Sequence, residues 1–159
     1  MPRETIVVLG NLMNGHLALE PLLSEFEWSL ESTLTLDGLA GICARRDVVA
    51  VLVDPAVVEL PWKRAIAAVQ EVAPRALPIL CHRFSSAIDW PEASAAGVFH
   101  LLGLPLNLRE LRQSLGFVWA ERNKRSPVIA LTGDERSRLR KTASAGGAVH
   151  NSGTAANVA

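Results

Sequence analysis

The chain has 159 residues, 49% of them hydrophobic, and its formal net charge is zero. That length buries one core of ordinary size and predicts a single domain. Electrical neutrality removes any global reason to expect nucleic acid or an acidic membrane as partner. The charge is nevertheless uneven: residues 122–141 hold seven basic side chains against Asp134 and Glu135, leaving residues 1–121 net acidic. Cys43 and Cys81 lie in apolar segments without metal-ligand spacing and read as reduced core thiols. Met1-Pro2-Arg3-Glu4 leads into an apolar run too short for a signal peptide, and no run approaches a membrane span. The expectation is a soluble, cytoplasmic protein.

Thr5–Leu9 reads as a β-branched strand ended by Gly10-Asn11. A helix from about Asn14 follows, with Leu19, Leu22, Leu23 and Phe26 at helical spacing. Trp28–Leu36 alternates apolar and polar residues, as a half-exposed strand does. Asp37 is positioned to cap a second helix carrying Leu39, Ile42 and Cys43, which stops at Arg45-Arg46-Asp47. Val48–Val53 is wholly apolar and four of its six residues are Val, so it reads as a strand buried on both faces, with Asp54 at its carboxyl end. Pro55–Pro61 is expected to be loop and Trp62–Val72 a helix. Leu77–Cys81 makes a fourth strand, Asp89–Ala96 a helix ended by Gly97, and Val98–Leu102 a fifth strand. Asn107 then caps a long helix with Leu108, Leu111, Leu115 and Val118 on one side.

Strands that alternate with helices imply right-handed crossovers and a doubly wound α/β fold, here a five-stranded parallel sheet of flavodoxin-like type over residues 4–124. Residues 125–159 are basic and then rich in Ala, Gly, Ser and Asn, and are expected to be a disordered tail, with Val128–Leu131 as its one apolar run. In an open parallel sheet, ligands gather beyond the carboxyl ends of the strands, which makes Asp54 the residue of interest. His16 and His82 are predicted at the same edge without a third metal ligand, and His100 falls inside strand five. Core packing is the favoured place for Trp28, Trp62, Trp90 and Trp119. No P-loop, dinucleotide fingerprint or nucleophile elbow is present.

Five βα units with Asp54 ending the third strand resemble the receiver domain of two-component response regulators. Trp62, eight residues after Asp54, matches a receiver subgroup with Trp opening its third helix. Ala95-Ala96-Gly97-Val98-Phe99 resembles the family's turn into strand five, and Leu104-Pro105-Leu106 stands where receivers carry Lys-Pro-hydrophobic. The resemblance implies an aspartyl phosphoacceptor, an acidic pair holding Mg²⁺, a Ser or Thr ending strand four and a Lys ending strand five. Asp54 meets the first requirement only. Gly10-Asn11 replaces the acidic pair, Arg83 the hydroxyl residue and Leu104 the lysine.

The expected protein is thus a pseudo-receiver: a stand-alone bacterial signalling module associated with phosphorelays. It is expected not to be an enzyme and to need no cofactor, with Mg²⁺ entering only if Asp54 is phosphorylated. Its partners would be another protein or a second copy, met through the fourth and fifth helices, with no direct DNA or membrane contact and no evident need for a histidine kinase. Arg83 would form a standing ion pair with Asp54 or else point into solvent. The rival readings are an active receiver modified at Asp54, and a flavodoxin-like domain binding a small ligand near Gly10, Asn11 and His82.

Overall fold

The computed structural model describes residues 4–125, apart from the side chains of residues 13–18 and 125. Val128–Leu131, the basic stretch 136–141 and the remaining tail lie outside the described residues. The elements run β1 (Glu4–Leu9), α1 (Met13–Ser24), β2 (Ser29–Thr33), α2 (Leu36–Arg45), β3 (Asp47–Val53), α3 (Pro55–Val58), α4 (Trp62–Val72), β4 (Leu77–His82), α5 (Trp90–Ala95), β5 (His100–Gly103) and α6 (Leu108–Arg125), with a 3₁₀ turn at Ser85–Ala87. All strands are parallel, in the order β2-β1-β3-β4-β5. This is the flavodoxin-like doubly wound order.

Strand alternation divides the interior into two layers. Ile6, Val8, Ala50, Leu52, Ile79 and Leu102 meet Leu19, Leu22 and Leu23 of α1 and Leu111, Leu115 and Val118 of α6. Val7, Leu9, Val51, Val53 and Leu80 meet Leu39 and Ile42 of α2, Ile66 and Val69 of α4 and Ala93 of α5. From Val48 to Val53 the central strand β3 is buried on both faces, which is why its sequence carries no polar alternation.

The local details correct four expectations. Helix α2 is capped by Thr35, whose hydroxyl accepts from the Gly38 amide at 2.9 Å, and Asp37 falls inside the first turn. The second strand therefore stops at Thr33. The stretch expected to be loop contains α3, started by Asp54 as N-cap and Pro55 in the first helical turn, where a missing N–H costs nothing. Strand β5 begins at His100 instead of Val98. The fourth and fifth helices expected from the sequence are thus α5 and α6. Gly97 does end the helical stretch with φ +102°, a conformation that glycine adopts without a Cβ penalty.

Candidate functional site at the carboxyl ends of the strands

Asp54 is delivered to the sheet's carboxyl end by β3 and held there by backbone on both sides. Its amide donates to the Leu9 carbonyl at 3.0 Å, and its Oδ1 accepts from the Ala56 amide at 3.1 Å. One carboxylate oxygen is therefore engaged in starting α3. Gly10 lies directly against it: a Cβ built at Gly10 would stand 2.8 Å from the Asp54 Cβ. No side chain fits there without movement of the backbone that carries Asp54. Asn11 is exposed beside it.

The other side of the site comes from β4 and β5. Cys81 is fully buried one residue before the end of β4; burial pushes its thiol pKa strongly up, and the Asp54 charge adds to the effect. That thiol is an inert core group. His82 turns its Nδ1 to accept from the Phe84 amide at 3.0 Å, and the two rings meet edge-on at 6.2 Å. Arg83 is exposed and forms no ion pair with Asp54, so of its two expected positions the structure has the solvent-facing one. Leu104 donates its amide to the His82 carbonyl at 3.1 Å, precedes Pro105 through a cis peptide bond, and packs its side chain on the α1–α6 layer of the core.

Gly10, Asn11, Asp54, Arg83 and Leu104 stand just beyond the carboxyl ends of β1, β3, β4 and β5, and no ion pair joins any two of them. Among the described residues no group of three or more His, Cys, Asp or Glu side chains could hold a metal ion. Asp54 supplies one carboxylate, already bonded to an amide, beside a glycine and an amide side chain. This set does not suit Mg²⁺, which prefers octahedral oxygen ligation with carboxylates and phosphates.

Two tryptophans favoured for the core are nearly half exposed: Trp90 at 46% and Trp119 at 49%. Trp28 is buried and Trp62 half-buried, as expected. On α6, Leu111, Ser114, Leu115 and Val118 face inward. Phe117 packs edge-on against the His100 ring of β5, with centroids 5.6 Å apart, and the His100 Nδ1 and Ser114 hydroxyl are hydrogen-bonded. Burial lowers the His100 pKa, and Glu110 partly opposes the shift. Trp119 is about 200° around the helix from Phe117, on the flank where Arg112 pairs with Glu25 at the end of α1. The aromatic beside β5 is therefore Phe117, which sequence reading passed over. Its spacing from Leu111, Leu115 and Val118 was the available signal.

A scan with protein-family models and a comparison with curated proteins gave no match. Solved structures do match. The receiver domain of the TMAO respiratory system response regulator TorR is 21% identical, with a TM-score of 0.61, covering 74% of this chain and 98% of that one. A response regulator from Thermotoga maritima is 16% identical, with a TM-score of 0.60 over 74% of this chain and 98% of its own. The beryllofluoride-activated NtrC4 receiver domain, determined as a dimer, is 15% identical, with a TM-score of 0.61 over 74% of this chain and 97% of that one. Strand order, helix placement and these likenesses together give the chain the fold of a CheY-like response-regulator receiver domain.

Proposed function

We propose that this protein is a receiver-like module of two-component signalling that works by protein–protein contact and does not transfer phosphoryl groups. The observation that carries the reading is the contact between Gly10 and Asp54. Where a phosphoaccepting receiver needs metal-binding carboxylates, this chain has a glycine, and a Cβ built on it would stand 2.8 Å from the Asp54 Cβ. Two further features support it. The Asp54 carboxylate serves as a helix cap, and Leu104, in the lysine position, is half-buried and packs against the core. A charged hydrogen bond of about 1.5–3 kcal/mol is forfeited by that last exchange.

The contact surface we assign is the open edge of the sheet at β5, flanked by α5 and α6. Glu92 of α5 pairs with Lys63 of α4, so Trp90, about 200° around the helix, lies on the side away from α4. Phe117 and His100 carry the apolar character onto α6 and β5. Exposed aromatics of this kind are enriched at interfaces, and the NtrC4 likeness is to a receiver that dimerises. The occupant is a protein partner or a second copy of this chain, and the setting is the bacterial cytoplasm.

The test is intact-mass spectrometry after incubation with acetyl phosphate and Mg²⁺, beside Asp54→Asn. The expected result is no adduct in either protein. A phosphoryl adduct in the native protein that disappears in Asp54→Asn would replace this reading with an active receiver modified at Asp54.

A further inference from the structure

The opposite end of the sheet carries more charge chemistry than the expected site does. Arg122 of α6 donates its Nε to Glu4 Oε2 at 3.2 Å and pairs through Nη2 with Asp47. The other oxygen of Glu4 accepts from the Trp28 indole at 3.0 Å. Glu31 is held by Arg45 through both oxygens, and by Arg46 Nε at 2.9 Å. Three of these groups, Arg46, Asp47 and Arg122, line a cleft of about 500 Å³ between the carboxyl ends of α2 and α4 and the Arg122 turn of α6. The volume lies within the range of about 300–1,000 Å³ usual for small-molecule sites.

The lining is two-sided. Val48, Val72 and Ala76 give it an apolar wall, while Arg46, Arg75 and Arg122 bring guanidinium groups against one carboxylate, Asp47. Counting the ion-pair partners of the lining residues as well, Arg45, Arg46 and Arg122 pair with Glu4, Glu31 and Asp47, so the cations outnumber the anions by Arg75. That residue is exposed and forms no ion pair among the described residues. Arg122 keeps Nη1, and Arg46 keeps both Nη groups, outside the bonds just named. A guanidinium whose position is fixed by one carboxylate retains donors in a planar fork suited to a second.

We propose that this cleft binds a small amphipathic anion: a carboxylate on an apolar body, with its charge on Arg75 and the free guanidinium edges and its body against Val48, Val72 and Ala76. Such a ligand would tie the α4–β4 turn to α6. The site is independent of any chemistry at Asp54, because it lies at the amino ends of the same strands.

The full chain, ¹⁵N-labelled, tests this by amide chemical-shift titration with octanoate, inorganic phosphate and octylammonium in parallel. Octanoate is expected to shift the amides of residues 46–48 and 72–76 saturably; phosphate should bind there more weakly, and octylammonium should leave them unmoved. Arg75→Glu, at an exposed position that leaves the fold intact, should weaken octanoate by about fivefold or more, the order of one exposed charge contact. Four results would overturn the proposal: no saturable shift, shifts confined to the aromatic surface around Phe84 and Trp90, equal affinity in Arg75→Glu, or phosphate binding as tightly as octanoate. The last would make this a bare anion patch, and the first a purely structural staple.

Discussion

The two ends of the sheet differ in how they gather charge. At the carboxyl end, Asp54 contacts neutral groups: the Ala56 amide, the Leu9 carbonyl through its own amide, and the backbone of Gly10. At the amino end, Glu4, Asp47 and Arg122 join β1, β3 and α6 in one ion-paired unit, and Arg45 and Arg46, just before β3, pair with Glu31 in the middle of the edge strand β2. The carboxyl end is built from β-to-α loops and the amino end from α-to-β loops, and the side chains they carry decide where charge collects.

The sharpest way to break the contrast is to restore a carboxylate at the closed end. Gly10→Asp forces a Cβ against the Asp54 Cβ and is expected to cost roughly 1–3 kcal/mol, the order of overpacking a filled site, read as a lower urea midpoint. An unchanged midpoint would mean that this end opens readily. Asp54→Ala should cost about 1 kcal/mol by loss of the α3 cap, whereas Asp54→Asn, which caps as well, should be close to neutral. Equal losses in both would point to a role for the charge itself. At the other end, Arg122→Ala should cost about 1 kcal/mol, since its ion pairs are partly exposed and screened. A double-mutant cycle with Asp47→Ala checks whether that loss belongs to the pair.

Two smaller effects are pH-dependent. Burial holds the His100 pKa below its ordinary 6.5, so the unfolded chain binds the proton first. Stability is expected to fall as pH drops from 6.5 towards the lowered value, and His100→Gln should flatten that part of the profile. Hydrogen bonds from Arg45, ahead of those from Arg46, lower the Glu31 pKa below 4.5. Its contribution is therefore complete above pH 4.5 and lost as pH falls through the lowered value. Removing both arginines should erase this slope.

The layered fold was legible because its signals are local and periodic. β3 reads as buried on both faces, and Leu111, Leu115 and Val118 mark the inner side of α6. The missed elements turned on competition between neighbours. Thr35 took the cap that Asp37 could also have supplied, and Asp54-Pro55 started a helix four residues long, too short to show a period. That Gly10, Arg83 and Leu104 follow strand ends was legible from position, but the closeness of Gly10 to Asp54 appears only in the folded backbone. The amino-end network was not legible. Glu4, Asp47 and Arg122 are ordinary surface types far apart in the chain, and only the fold brings them together.

The most direct test of the central claim is a ¹⁵N amide titration of the full chain with Mg²⁺ and then beryllofluoride, a phosphoryl mimic. The account predicts that the amides around Gly10, Asp54–Val58, His82–Ser85 and Leu104 stay unmoved, as do those of α5 and α6. Saturable shifts that begin at Asp54 and spread to Trp90 and Phe117 would contradict it, and would show that the closed end still switches the aromatic edge.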